Sequence, residues 1–370
     1  MAGDEKRSLL GLWCTPHVGA VVISRVQRAV GDLAAIADLN VRQWLPDVRL
    51  PDAVRLSLLQ LETLGALADE TKRRADRAGI SLSFIGEPTF PRGLDDVSGA
   101  PPVLFFRGRG DRPNGRRRLA MVGSRHFEHG FRVPCETLAR RVAMRLIIVS
   151  GGAEGIDQLC HRAAIAVGGE TWAFMGGGLD ALDPSQVQIS AEILQAGGTV
   201  FSEFPPGVRA ERGKFPRRNR LISGASDAVL IARGARKSGT QHTVRYAREQ
   251  GRPLLAVPGP IDQETAWYPN WLIRQQQATL VTDALEVFSE LGLDRTLSPE
   301  PDAAAPLADV GHCSASAQKA YAALTRAAVD FDHLLALAQP LGSGQLAAAL
   351  IELELAGLLV QRPGRLYERR

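Results

Sequence analysis

The residues in this 370-residue chain best suited to chemistry are small, polar and basic, and they recur at the ends of apolar runs. Leu146-Ile147-Ile148-Val149 leads directly into Ser150-Gly151-Gly152-Ala153-Glu154-Gly155-Ile156-Asp157, with Gln158-Leu159-Cys160-His161 beyond. A short β-branched run that stops at Ser-Gly-Gly and gives way to a helical pattern predicts a buried strand, a glycine turn and a helix N-terminus. Unpaired amides and the positive end of the helix dipole meet at such a turn and favour an anion, most simply a phosphate. The same glycines would equally serve as a plain tight turn. The anion site is favoured because Gly123-Ser124-Arg125, Gly176-Gly177-Gly178, Ser202-Glu203 and Pro258-Gly259 follow other apolar runs in the same manner. Arg125 places a guanidinium fork beside the first of these turns. The basic segment Arg209 to Arg220 contributes Lys214, Arg217, Arg218 and Arg220 as phosphate-gripping cations, Asn219 as a neutral donor and Phe215 as a ring on which a base could stack. Ser238-Gly239-Thr240 opens a further helix and offers hydroxyl donors at its start. Jointly these residues predict a phosphate-tracking groove lined by turns and a basic loop.

Asp157 and His161 stand four apart on one helix face. The spacing suits an acid–base pair, but it suits better a carboxylate that accepts hydrogen bonds from the loop and a histidine that buttresses it. Other catalytic signatures are missing from the sequence: there is no G-x-S-x-G, H-E-x-x-H or G-x-x-x-x-G-K-[ST], and Gly176-Gly177-Gly178 lacks the spacing of a dinucleotide fingerprint. Cys14, Cys135, Cys160 and Cys313 form no CxxC or Cys/His pattern, which predicts a reduced, cytoplasmic protein with neither zinc nor disulfide framework. A 45% hydrophobic, 23% charged composition is that of a soluble protein, and a net charge of +4 permits a nucleic-acid partner without requiring one. No apolar run is long enough to span a bilayer, and Met1 to Arg7 lacks the apolar core of a signal peptide; no membrane role is expected.

The elements that must position these residues follow from the hydrophobic pattern. Residues 1–79 read as a helical domain. In it the Pro16-x-x-Gly19 break resembles the hairpin of helix-hairpin-helix modules, although a plain helical connector fits as well. The segment punctuated by Pro88, Pro91, Pro101 and Pro102 and ending in Val103–Phe106 reads as a lead-in along a sheet edge. Runs at Leu119–Val122, Leu146–Val149, Thr171–Met175, Thr199–Phe201, Val229–Ala232 and Leu254–Val257 alternate with helical stretches. That alternation predicts an α/β domain over 80–293 with a doubly wound parallel sheet, whose ligands gather at the carboxyl ends of the strands. Residues 294–313 read as a linker, and 314–370 as three helices and a short hairpin, a winged-helix pattern. Its recognition-helix position, Gln345–Leu355, carries Glu352 and Glu354 and no cation, so this tail is expected to dock a protein rather than DNA.

In their order along the chain, these motifs resemble the DprA/Smf family of DNA-processing proteins. The carrying residues are Phe90-Pro91-x-x-Leu94, Pro102-Val103-Leu104-Phe105-x-x-Gly108, Val122-Gly123-Ser124-Arg125, Ser150–Asp157 with His161, Ser202-Glu203, Phe215–Ile222, Ser238-Gly239-Thr240, Glu249–Arg252 and Ala256–Gly259. The resemblance implies an extended Rossmann-like domain that binds single-stranded DNA, forms homodimers, and loads the RecA recombinase during transformation and recombination. It implies binding rather than catalysis, no cofactor, and a DNA groove at Gly123, Ser124, Arg125, Ser150, Gly151, Gly152, Gly155 and Arg217 to Arg220. Three positions depart from the family pattern. Glu154 stands where an arginine is common, Asp183-Pro184-Ser185-Gln186-Val187 replaces Tyr-Pro-x-x-Asn, and Arg233 stands where an acid is frequent; Arg233 is expected to restore positive potential lost at Glu154. Ser238-Gly239-Thr240 also resembles Rossmann-like phosphoribohydrolases, which makes a nucleotide-processing hydrolase the alternative. On the groove reading, replacing Arg217 and Arg218 together with Ala is expected to lower DNA affinity and leave the fold intact.

Overall fold

The computed structural model describes residues 3–110, 116–210, 214–294, 313–324, 329–356, 358–362 and 366–369. The chain divides into two compact units, Met1–Leu297 and Ser298–Arg370. The first is built on a sheet whose strands, in chain order, are β1 (Ser81–Phe84), β2 (Val103–Gly108), β3 (Arg118–Val122), β4 (Ile147–Ser150), β5 (Thr171–Met175), β6 (Thr199–Ser202), β7 (Ala228–Ile231), β8 (Leu254–Ala256) and β9 (Thr279–Leu280). Their spatial order is β1-β2-β6-β5-β4-β3-β7-β8-β9. From β6 through β9 all pairings are parallel, as the alternating pattern requires. The proline-punctuated lead-in adds an antiparallel margin, with β2 against β6 and β1 against β2. A hairpin-like lead-in needs no helical crossover, so it can reverse direction here.

The crossover helices are α6 (Arg132–Ala143), α7 (Ile156–Ile165), α8 (Pro184–Gln195), α9 (Lys214–Gly224), α10 (Thr240–Glu249) and α11 (Trp267–Arg274), and α12 (Ala284–Glu290) follows the last strand. Successive strand residues point to opposite faces, and two layers result. Leu119, Met121 and Ile148 face α6, α7 and α12, whereas Ala120, Val122, Val149 and Phe174 face Leu221 and Ile222 of α9 and Val244 of α10. Preceding the sheet are α1 (Gly3–Cys14), α2 (Ala20–Val30), α3 (Val41–Trp44), α4 (Asp52–Leu59) and α5 (Leu64–Arg77). They share one apolar core with the sheet, in which Leu12, Val26 and Leu64 join Phe105, Met175 and Val200. α4 and α5 are separate helices because Thr63 accepts from the Ala66 amide (3.0 Å) and starts α5 afresh.

The second unit comprises α13 (Ala315–Ala323), β10 (Val329–Asp330), α14 (Phe331–Leu337), α15 (Ser343–Leu355), β11 (Leu359–Arg362) and β12 (Leu366–Arg369). The wing hairpin pairs β11 with β12, and β10 joins β12 on its other side. No helix among the described residues is long and apolar enough to cross a membrane.

Candidate nucleic-acid interface

From β3 the chain steps through β4, β5 and β6 to one side, then returns to lay β7 and β8 on the other. A crevice must open where the crossovers part, at the carboxyl ends of β3 and β7. A cleft of about 700 Å³ lies there. It is lined by Gly123, Ser124 and Arg125 after β3, by Ala153 and Asp157 of the glycine turn, by Arg218 and Asn219 of α9, and by Ser238, Gly239 and Thr240 after β7. The fold thus brings candidate residues from three turns and from α9 to one cleft. Arg236 and Lys237, both exposed, complete the wall, and His126, Thr243, Glu264 and Thr265 line it as well. Four of the lining side chains (Arg125, Arg218, Arg236, Lys237) are cationic and two (Asp157, Glu264) are acidic, so the cleft is net positive. Arg236 and Lys237 are two successive cations directly before Ser238-Gly239-Thr240, a signal that the hydroxyls alone overshadow in the sequence.

The glycine turn is not empty-handed. Asp157, at the second position of α7, turns its carboxylate back into the turn, where the Ser150 side chain and the amides of Ala153 and Gly151 interact with it. Burial pushes its pKa up, against the pull of Arg218, Ser150 and those amides. Ser150 itself is fully buried and donates to Met121 O (2.6 Å). The Ile156 amide donates to Ser124 O (3.2 Å), and the Ser124 amide to Arg233 O (3.1 Å). The dipoles expected to meet an external phosphate are therefore largely met by the protein's own carboxylate and carbonyls. Other turns are spent in similar ways: Gly178 N–H donates to Val208 O (2.7 Å), Gly259 N–H to Asn270 Oδ1 (3.1 Å), and Glu203 is buried.

The basic segment is corrected in form: from Lys214 it is helix α9 rather than a loop, and its arginines divide by face. Arg218 is buried, and its Nη1 donates to Phe174 O (2.6 Å) and to Gly151 O. The space that a side chain at Gly151 would need is filled by this guanidinium. Burial pushes the Arg218 pKa down to about 10; Asp157 opposes that, and nearby Arg125 adds to it. Arg220 turns away from the cleft to a buried ion pair with Glu203 (2.6 Å). Half-exposed Arg217 reaches the same oxygen at 3.3 Å, with its guanidinium over the rings of Trp13 and Phe204. Arg220 is thus a structural ion-pair member, not a groove cation, and the helix is pinned by buried guanidiniums in places where a periodic pattern expects apolar side chains. The side chains of Lys214 and Phe215 lie outside the described residues.

His161 is fully buried behind the turn. Thr171 gives its only hydroxyl proton to Ile148 O (2.8 Å), so its 2.7 Å contact with His161 Nδ1 is donated by the imidazole. Burial, with Arg218 and Arg162 adding to it, holds the His161 pKa at about 3. The unfolded chain takes up this proton near pH 6.5 and the folded chain does not. Stability tied to His161 is therefore complete above pH 6.5 and falls as the pH drops toward 3. Thermal melts over that range should show the loss, and His161→Gln should flatten it; an unchanged acid slope in the variant would remove His161 as its source.

Arg233 does not replace the charge missing at exposed Glu154, contrary to expectation. It is buried with its guanidinium 3.2 Å from the centroid of Phe131, its Nε 3.5 Å from Glu128 Oε2, and Nη1 donating to Ala232 O (2.9 Å). That packing faces a second hollow on the far side of the β7 loop. In the Asp183–Val187 segment, Pro184 starts α8, and the Ser185 carbonyl accepts from Gln158 Nε2 (3.4 Å), a tie to the helix that follows the glycine turn.

Comparisons with known proteins agree with this architecture. Residues 81–292 match the family model described as DNA recombination-mediator protein A, and residues 298–365 match the DprA winged helix domain. The chain is 44% identical to protein Smf of Escherichia coli over 179 residues, a match spanning 47% of each protein, so it covers about half the length of that relative. Among solved structures it resembles DNA processing protein A of Streptococcus pneumoniae, with a TM-score of 0.62 and 28% identity over 78% of this chain and 95% of that one. It also resembles DNA processing protein A of Helicobacter pylori, in a structure concerned with that protein's single-stranded DNA binding mode (TM-score 0.51, 26% identity, 57% of this chain and 95% of that one). With more than half of its length matched to the family model, on a Rossmann-like sheet followed by a winged helix, the chain belongs to the DprA/Smf family of DNA recombination mediators.

Proposed function

We propose that the cleft between the β3 and β7 turns binds single-stranded DNA through its phosphates, with little dependence on base identity, and that the bound strand is handed to a RecA-type recombinase. The observation that carries this is the convergence of the exposed Arg125, Arg236 and Lys237 on one open crevice at the reversal point of the sheet, with buried Arg218 adding positive charge to its floor. Guanidinium and ammonium groups in a groove follow a backbone of regularly spaced charges without reading sequence. The neighbour from Helicobacter pylori supports the choice of single strands. Action by binding rather than bond cleavage is supported by the state of Asp157 and His161, both buried and engaged with the turn and with Thr171. The protein is proposed to work as a homodimer, and its winged helix to dock a protein. On α15 the exposed side chains include Ala347, Ile351, Glu354 and Leu355, an apolar stripe with an acid where DNA-reading helices carry cations.

Arg125→Ala, Arg236→Ala and Lys237→Ala should each weaken binding of a labelled oligonucleotide. Each should also lower the slope of log affinity against log salt by about 0.7 for every phosphate that is no longer neutralised. The exposure of all three side chains keeps the fold out of the comparison. Unchanged affinity and slope in the triple variant would sink the groove.

A further inference from the structure

The loop that carries Arg236 is tied to the start of α11. The Gly234 amide donates to Thr265 O, and Gly234 O accepts from the Tyr268 amide at 2.9 Å. This tie sets a group of rings beside the cleft. Trp267, Tyr268 and Trp271 have centroids 5.9 to 6.4 Å apart and planes within 14° of parallel. Tyr268 is buried, whereas Trp267 and Trp271, one helical turn apart, are half-buried with part of each ring at the surface. Arg236, itself part of the cleft wall, lies with its guanidinium 4.6 Å from the centroid of Trp267. Core packing alone would be met by aliphatic side chains. Near-parallel indoles at the surface, roofed by a planar cation that also borders an anion-binding cleft, form a surface suited to flat, electron-rich rings attached to phosphates.

We infer that Arg236, Trp267 and Trp271 form a stacking platform for a nucleobase of the strand as it leaves the cleft. The inference rests on the proposed binding of single-stranded DNA and adds to it an interaction with bases rather than phosphates. Every base has a π-face, so the platform contributes affinity without sequence preference, and it discriminates against duplex DNA, whose bases are already stacked on one another. Arg236 serves both partners: its flat face meets a ring, while its N–H edge meets a phosphate oxygen.

The test compares an oligothymidylate with a strand of the same length built only of abasic sites, read by anisotropy and by intrinsic tryptophan fluorescence. The remaining tryptophans, Trp13, Trp44 and Trp172, are all buried, so quenching on binding reports on positions 267 and 271. The platform predicts quenching by oligothymidylate, and roughly fivefold or more weaker binding of the abasic strand. Trp267→Leu and Trp271→Leu, which keep an apolar body against the core, should erase that preference, and Trp267→Phe should restore part of it. Equal affinity for the two strands without quenching, while binding stays salt-dependent and sensitive to Lys237→Ala, would overturn the platform and leave the cleft standing. Absence of binding to either strand at low salt would overturn both.

Discussion

Arg218→Ala is expected to destabilise the protein by about 3–5 kcal/mol, the cost of stranding one member of a buried charged pair. The guanidinium sits among Gly151 O, Phe174 O and the field of Asp157, all of them shielded from water. Removal leaves two carbonyls without their donor and a buried carboxylate without its cation, next to a void above Gly151. Chemical denaturation of the variant against wild type reads the effect directly. Arg217→Ala supplies the contrast: its side chain is 47% exposed, and removing its 3.3 Å pairing with Glu203 should cost no more than about 1 kcal/mol. The paired replacement of Arg217 and Arg218 therefore cannot report on DNA binding alone, because half of it removes a structural strut. A variant at Arg218 that melted like wild type would show that the guanidinium does not hold the turn.

Gly155→Ala should be nearly as damaging, and more so to binding. Gly155 precedes α7 at φ +90°, where a side chain is strained whatever the space around it, and a Cβ would sit 2.3 Å from Arg125 O and 2.5 Å from Ser124 O. Both obstacles are backbone and cannot swing aside. The conformation alone costs about 1–3 kcal/mol for a residue with a side chain. Relief of the clash must push the Ser124–Arg125 turn outward, breaking the hydrogen bond from the Ile156 amide to Ser124 O that closes the cleft floor. The expected result is a lower melting temperature together with weaker oligonucleotide binding. Retention of wild-type affinity would mean that the separation of the two turns is irrelevant to the ligand.

The strands were legible in the sequence because each parallel strand is buried on both faces and so reads as an uninterrupted apolar run; β3 through β8 lie within a residue or so of those runs. β9 escaped because two residues, Thr279 and Leu280, carry no pattern. The role of Asp157 was visible in its spacing from the turn, but not its consequence, since the same glycines that predict a phosphate site also accommodate an internal carboxylate. The arginines of α9 were misleading for a physical reason. A charge run is expected to face water, and only the folded chain shows that Glu203 and the carbonyls of Gly151 and Phe174 are in place to receive Arg220 and Arg218. Arg236 and Trp267 are likewise joined only by the return of the chain through β8, which no local pattern records.

A turn whose amides already hold a buried carboxyl group has little left to offer a lone nucleotide. With Asp157 seated against the amides of Gly151 and Ala153, attraction for a ligand falls to long side chains spread around the rim, each adding a small, ion-sensitive share. If the proposed groove binds DNA, such a surface gains from avidity: a strand long enough to touch several cations at once would be held, whereas its monomer would diffuse away. On the proposed reading, selection for polymers over free nucleotides would thus begin with one carboxyl group lodged inside the protein.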